Sequence, residues 1–89
     1  MTKTATISAI LDQFPDREFV LVGDSGEKDP EAYGNIARKY PQQIIRIFIR
    51  IVTSEDFEER ASLAFRNVPS TKWKFFKDAT ELVTQELTQ

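Results

Sequence analysis

Eighty-nine residues with a formal charge of −2 make one small domain, expected to bury only about 60–65% of its unfolded surface, so the core is modest. Neither cysteine nor histidine occurs, which removes disulfides, thiolate chemistry, imidazole bases, the Ser-His-Asp arrangement and most zinc sites. A charge this small, with no basic stripe, gives no footprint for nucleic acid. Any chemistry must therefore use carboxylates, lysines, arginines, hydroxyls and a hard, oxygen-loving cation.

From Thr4 to Phe14 the spacing of Ile7, Ile10, Leu11 and Phe14 predicts a helix with one apolar stripe facing a core. Pro15-Asp16 ends it. Glu18 to Val22 predicts a strand whose near-continuous apolar character implies cover on both faces, as in a parallel sheet between helix layers. That strand runs into Gly23-Asp24-Ser25-Gly26-Glu27-Lys28, a glycine-bounded acidic loop. Asp29-Pro30 then opens a helix to Tyr40, with Asp29 expected as its cap and Tyr33, Ile36, Ala37 and Tyr40 inward. Gly34, costly inside a helix, suggests close packing on the sheet.

Ile44 to Val52 is the strongest strand signal, with Arg46 and Arg50 on one face. Ser54, followed by Glu55 and Asp56, reads as the cap of a helix running to about Arg66, with Phe57, Ala61, Ala64 and Phe65 inward. Asn67-Val68-Pro69-Ser70 is a break. Trp73 to Phe76 predicts a third strand, and Asp78 to about Leu87 a last helix burying Ala79, Leu82, Val83 and Leu87. The alternating order predicts an α/β fold, three-layer and Rossmann-like, with about three parallel strands flanked by helices and residues 1–89 forming a single domain.

Strand, acidic loop, helix is how a parallel sheet offers a site at the carboxyl end of a strand. Asp24 is the candidate ligand-facing carboxylate; the plainer reading is a turn aspartate bonding its own backbone. Asp29 is the second candidate, although capping alone accounts for it. Lys3 would ordinarily be a solvated terminal charge. The loop matches neither the dinucleotide fingerprint nor the phosphate-binding P-loop. Trp73, Phe75 and Phe76 read as core and sheet. The longest apolar run is interrupted by arginines and far too short to span a bilayer, and no signal peptide is evident, so a soluble cytoplasmic protein is expected.

Phe14-Pro15-Asp16-Arg17 leading into Phe19 to Glu31, with Ile36-Ala37-Arg38, Tyr40-Pro41 and Ile47-Phe48-Ile49-Arg50, resembles the catalytic domain of actin-patch-type phosphatidate phosphatases of the haloacid-dehalogenase-like superfamily. The resemblance is strongest from Phe14 to Arg50 and thin after Ser54. It implies a Rossmann-like fold and Mg²⁺-dependent hydrolysis of phosphomonoesters through a phospho-aspartate. It implies that Asp24, with Asp29, holds the metal, and that Lys3 is the catalytic lysine stabilising charge on the phosphoryl group. The Asp-x-Asp pair that supplies the family's nucleophile occurs nowhere in these residues, so the likeness is to the C-terminal half only. The expectation is a metal-binding-loop half, inactive alone. Two partners follow from it: a second copy, giving a homodimer or larger homo-oligomer, or a chain supplying the missing N-terminal half, with a phosphate ester as ligand. The alternative is a non-catalytic interaction module that retains the fold.

Overall fold

The structure, a computed structural model, describes residues 3–53, 57–78 and 80–81. Helix α1 (Lys3–Gln13) leads to strand β1 (Phe19–Asp24), helix α2 (Asp29–Lys39), strand β2 (Ile44–Arg50), helix α3 (Phe57–Ala64), a 3₁₀ turn at Ser70–Lys72 and strand β3 (Trp73–Phe76). The strands form one parallel sheet in the order β1-β2-β3. The predicted alternation and the three parallel strands are thus both present. The expected cap Ser54, with Glu55 and Asp56, lies outside the described residues, as do Ala79, Leu82, Val83 and Leu87 of the predicted last helix. The opening of that helix is visible: Asp78 Oδ1 accepts the Thr80 N–H, and Glu81 reaches back to the Lys77 and Asp78 N–H groups. This reciprocal capping starts a helix at the predicted place.

Sequential strand order with right-handed crossovers forces α2 and α3 onto the same side of the sheet. They pack there against each other, over the face carrying Leu21, Ile47, Ile49, Trp73 and Phe75. Phe57 meets Phe75 edge-on at 4.9 Å between ring centroids, and Phe65 stacks on Trp73 at 4.9 Å. The inward residues predicted for α3 are all buried, as are Tyr33, Ile36 and Ala37 of α2, while Tyr40 is half-buried.

Three expectations change. The first strand is not covered on both faces by the described residues: Leu21 is buried, whereas Val20 and Val22 on the other face are 48% and 64% exposed. The cause is the one-sided placement of α2 and α3. In α1, only Leu11 of the predicted stripe is deeply buried; Ile7 is partly packed, and Ile10 and Phe14 are exposed. That helix lies against α2 rather than across the sheet, so a narrow strip of it finds cover. Gln43 secures its end, donating from Nε2 to the Leu11 and Phe14 carbonyls at 3.0 Å each. Finally, Gly34 faces α3 instead of the sheet: a Cβ there would overlap the carbonyl oxygen of Ala64.

Candidate functional site

The residues singled out in the sequence meet at the carboxyl end of β1. This strand delivers Asp24, a turn over residues 25–28 reverses the chain, and α2 begins at Asp29. Asp24 is half-buried, and its Oδ1 accepts the Gly26 N–H at 2.9 Å, the local turn bond that short acidic side chains form readily. Its Oδ2 has no hydrogen-bond donor among the described residues. One carboxylate oxygen braces the turn, and the other is left without a hydrogen bond among the described residues.

Asp29 does not cap its helix, contrary to expectation. Lys28 occupies the cap position without a side-chain bond, and Pro30 sits in the first turn, where its missing N–H costs nothing. The Asp29 carboxylate, only 5% exposed, turns back toward the loop. Its Oδ2 accepts the Asp24 N–H at 3.1 Å, and its Oδ1 accepts the Lys3 ammonium. Lys3 also reaches Glu27 at 3.3 Å. The hydrogen bond to Asp29, then that to Glu27, holds the Lys3 pKa above its ordinary value. Lys3, Asp24 and Asp29 thus form one connected chain of contacts drawn from the starts of two helices and the end of one strand. An open cleft of about 230 Å³ lies beside Lys3 and Asp29, lined by these two with Thr4, Glu27, Lys28 and Ala32 and not by Asp24.

The approach of Asp29 depends on Gly23. A Cβ at that position would come within 2.8 Å of Asp29 Cβ and of Tyr33 Cε2, closer than real contacts allow. Tyr33 donates its hydroxyl to the Val22 carbonyl at 2.9 Å, closing the corner between β1 and α2. Burial, and next the charge of Asp29, push the Tyr33 phenol above its ordinary pKa.

Two further residues hold the loop that the sequence reading did not single out. Ser25 is buried; its N–H donates to the Arg50 carbonyl at 2.9 Å, and its Oγ accepts the Val52 N–H at 2.9 Å and lies 3.0 Å from Thr53 Oγ1. Arg60, from α3, donates to the Ser25 and Glu27 carbonyls at 2.7 Å each, and to both oxygens of Glu31 at 2.8 and 2.9 Å. That pairing holds the Glu31 carboxyl below its ordinary pKa. A larger cavity, about 300 Å³, opens on the far side of Arg60 between α2 and α3. Its other cations serve structure: Arg38 Nη1 donates to the Ala64 and Arg66 carbonyls at 2.9 Å each, tying down the end of α3.

Among the described residues no group of three or more acidic side chains converges as a metal cage. The Asp24 oxygen not used by the turn nevertheless suits a hard cation, because Mg²⁺ is usually held by one or two carboxylates and completes its shell with water and substrate phosphate. The donor set therefore fits part of such a shell. No helix among the described residues is long and apolar enough to cross a membrane.

Residues 1–51, more than half the chain, match the family described as "Phosphatidate phosphatase APP1, catalytic domain". The chain belongs to this family. Among members of known sequence, phosphatidate phosphatase APP1 of Saccharomyces cerevisiae is 52% identical over 48 residues, covering 54% of this chain and 8% of the yeast protein. An uncharacterized protein of Schizosaccharomyces pombe is 38% identical over 53 residues, covering 60% of this chain and 9% of that protein. The chain therefore spans less than a tenth of either relative. No solved structure matches it. The matched residues of this APP1 catalytic-domain chain include Lys3, Asp24 and Asp29 but stop short of Arg60.

Proposed function

We propose that this chain supplies the cation-holding loop and the phosphoryl-stabilising lysine of a Mg²⁺-dependent phosphomonoester hydrolase centre of the haloacid-dehalogenase-like kind, with a phosphatidate-like ester as substrate class. The observation that carries the reading is the Lys3–Asp29 ion pair held directly against the backbone of Asp24 at a strand's carboxyl end. In this reading the Asp24 oxygen not used by the turn is a cation ligand. Asp29, beside it in the metal-holding loop, fixes the Asp24 backbone and holds Lys3. Lys3 keeps its charge at every working pH and offsets negative charge on a bound phosphoryl group. A bound Mg²⁺ would supply Lewis-acid polarisation of a phosphoryl oxygen.

No Asp-x-Asp pair occurs among these residues, so the nucleophile comes from another polypeptide segment and the isolated chain turns over phosphate esters very slowly or not at all. The segment would lie along the outer edge of β1, the end strand of the sheet, where Val20 and Val22 are also exposed. The same edge supports a second reading, a non-catalytic module that associates with itself or another protein through it.

Titration with MgCl₂ followed by amide chemical shifts tests the first reading. The Gly23, Asp24 and Gly26 amides are expected to move in the wild type and to stay still in Asp24→Asn. Unmoved amides in the wild type would rule out the cation site, and brisk hydrolysis of a phosphomonoester by the purified chain would rule out the missing nucleophile.

A further inference from the structure

The acidic loop is braced from within by the Gly26 N–H donated to Asp24 Oδ1. It is a four-residue turn containing an exposed glycine, and Glu27 and Lys28 are exposed as well. Yet the second carboxylate oxygen of Asp24 must be aimed, since a cation ligand misplaced by even about 1 Å loses most of its value. Three anchors surround the loop. Asp29 holds the Asp24 N–H, and Ser25 is tied to the end of β2 and the residues after it. The third anchor is Arg60. Its fork spans the turn from outside, one nitrogen on the Ser25 carbonyl and the other on the Glu27 carbonyl, the two positions that flank Gly26. Glu31 presents both carboxylate oxygens to the same guanidinium, and the Phe57 ring lies 5.9 Å beneath it. The Arg60 side chain is accordingly four-fifths covered.

We infer that Arg60 is the positioning residue for the Asp24 carboxylate: by gripping the two carbonyls on either side of Gly26 it sets the loop geometry that a divalent cation reads. This rests on the cation site proposed above but assigns a new residue to it. The role needs arginine, because only a planar fork reaches two carbonyls and a carboxylate together; a lysine ammonium, a point charge on a flexible stem, cannot. Charge does not explain the arrangement. A bare guanidinium beside a dication would weaken binding, and the Glu31 carboxylate offsets it. What remains is geometry.

The clean variant is therefore charge-balanced: Arg60→Met combined with Glu31→Gln removes one positive and one negative group and keeps the stems that pack on Phe57. Residues that orient metal ligands typically affect affinity about 10–100-fold, and a loss of about tenfold in Mg²⁺ affinity is expected here, read from the midpoint of the Asp24 and Gly26 amide shifts. Arg60→Lys, which keeps the charge, is expected to lose affinity as well, and Glu31→Gln alone to change it less than about threefold. Hydrogen exchange of the Gly26 amide, bonded to Asp24 Oδ1, is expected to quicken in the double variant without added metal. Should the folded double variant, or Arg60→Lys, bind Mg²⁺ within twofold of wild type, the positioning role is wrong and the cation site stands. Should the wild type fail to respond to Mg²⁺, the cation site itself falls, while unchanged exchange in the variant would separately show that Arg60 does not hold the loop. If the double variant does not fold, the Arg60→Lys midpoint decides.

Discussion

The two faces of the sheet are built from the same strands and behave differently. Leu21, Ile47 and Ile49 point into the layer formed by α2 and α3 and are almost inaccessible; their strand neighbours Val20, Val22, Arg46 and Arg50 are exposed. The contrast is not complete, since Phe48 is half-buried and Phe76 buried on the second face. Ile44 to Ile49 looks uniformly apolar apart from one arginine, and only the crossover direction decides which of its side chains become core. A strand's composition states how much cover it can use, and the topology states how much it receives.

Substitutions at paired positions should sharpen that difference. Ile47→Ala removes a fully buried side chain and is expected to cost about 2–5 kcal/mol by chemical denaturation, enough to threaten a domain this small. Val22→Lys, on the opposite face, is expected to change stability by less than about 0.5 kcal/mol while lowering any self-association seen by light scattering. Equal losses at both positions would mean that the second face is as well packed as the first.

A smaller effect is expected between the helices. Gly34→Ala ordinarily gains helix propensity, but the added methyl overlaps the Ala64 carbonyl. Overpacking against backbone should dominate, with a net loss of about 1–3 kcal/mol in thermal or denaturant unfolding.

A smaller effect than that at Gly34 concerns pH. Because Arg60 lowers the Glu31 pKa below its ordinary 4.5, the folded state holds the proton less tightly than the unfolded chain does. The pair's contribution is therefore fully present above about pH 4.5 and lost as the pH falls through the lower folded value. The pair is partly exposed, so this amounts to about 0.5–1 kcal/mol. Wild type and Glu31→Gln should differ in melting temperature at neutral pH and converge in acid.

The fold was largely legible. Periodicity locates β2 and the buried stripe of α2, and Asn67 to Ser70 reads as a break, where Asn67 has a left-handed φ of 63°. The loop residues were legible as a group through local spacing and family likeness. Their partners were not. Asp29-Pro30 carries every local mark of a cap, yet a buried position beside Lys3, 26 residues away, gave its carboxylate a better use. The grip of Arg60 on the loop was not legible locally, because the partners described for it, the Glu31 carboxylate and the Ser25 and Glu27 carbonyls, lie 29 to 35 positions earlier. The exposed Ile10 and Phe14 show the converse failure, a regular pattern that finds too little surface to cover it.

The close seating of Gly34 under Ala64 has a reach beyond the two helices. Ala64 and Arg60 stand one turn apart on α3, so the helix works as a short lever with its far arm on the turn beside Asp24. A methyl group placed at the fulcrum would tilt that arm, and a lesion at the seam between α2 and α3 would surface as a disturbed amide at Gly26.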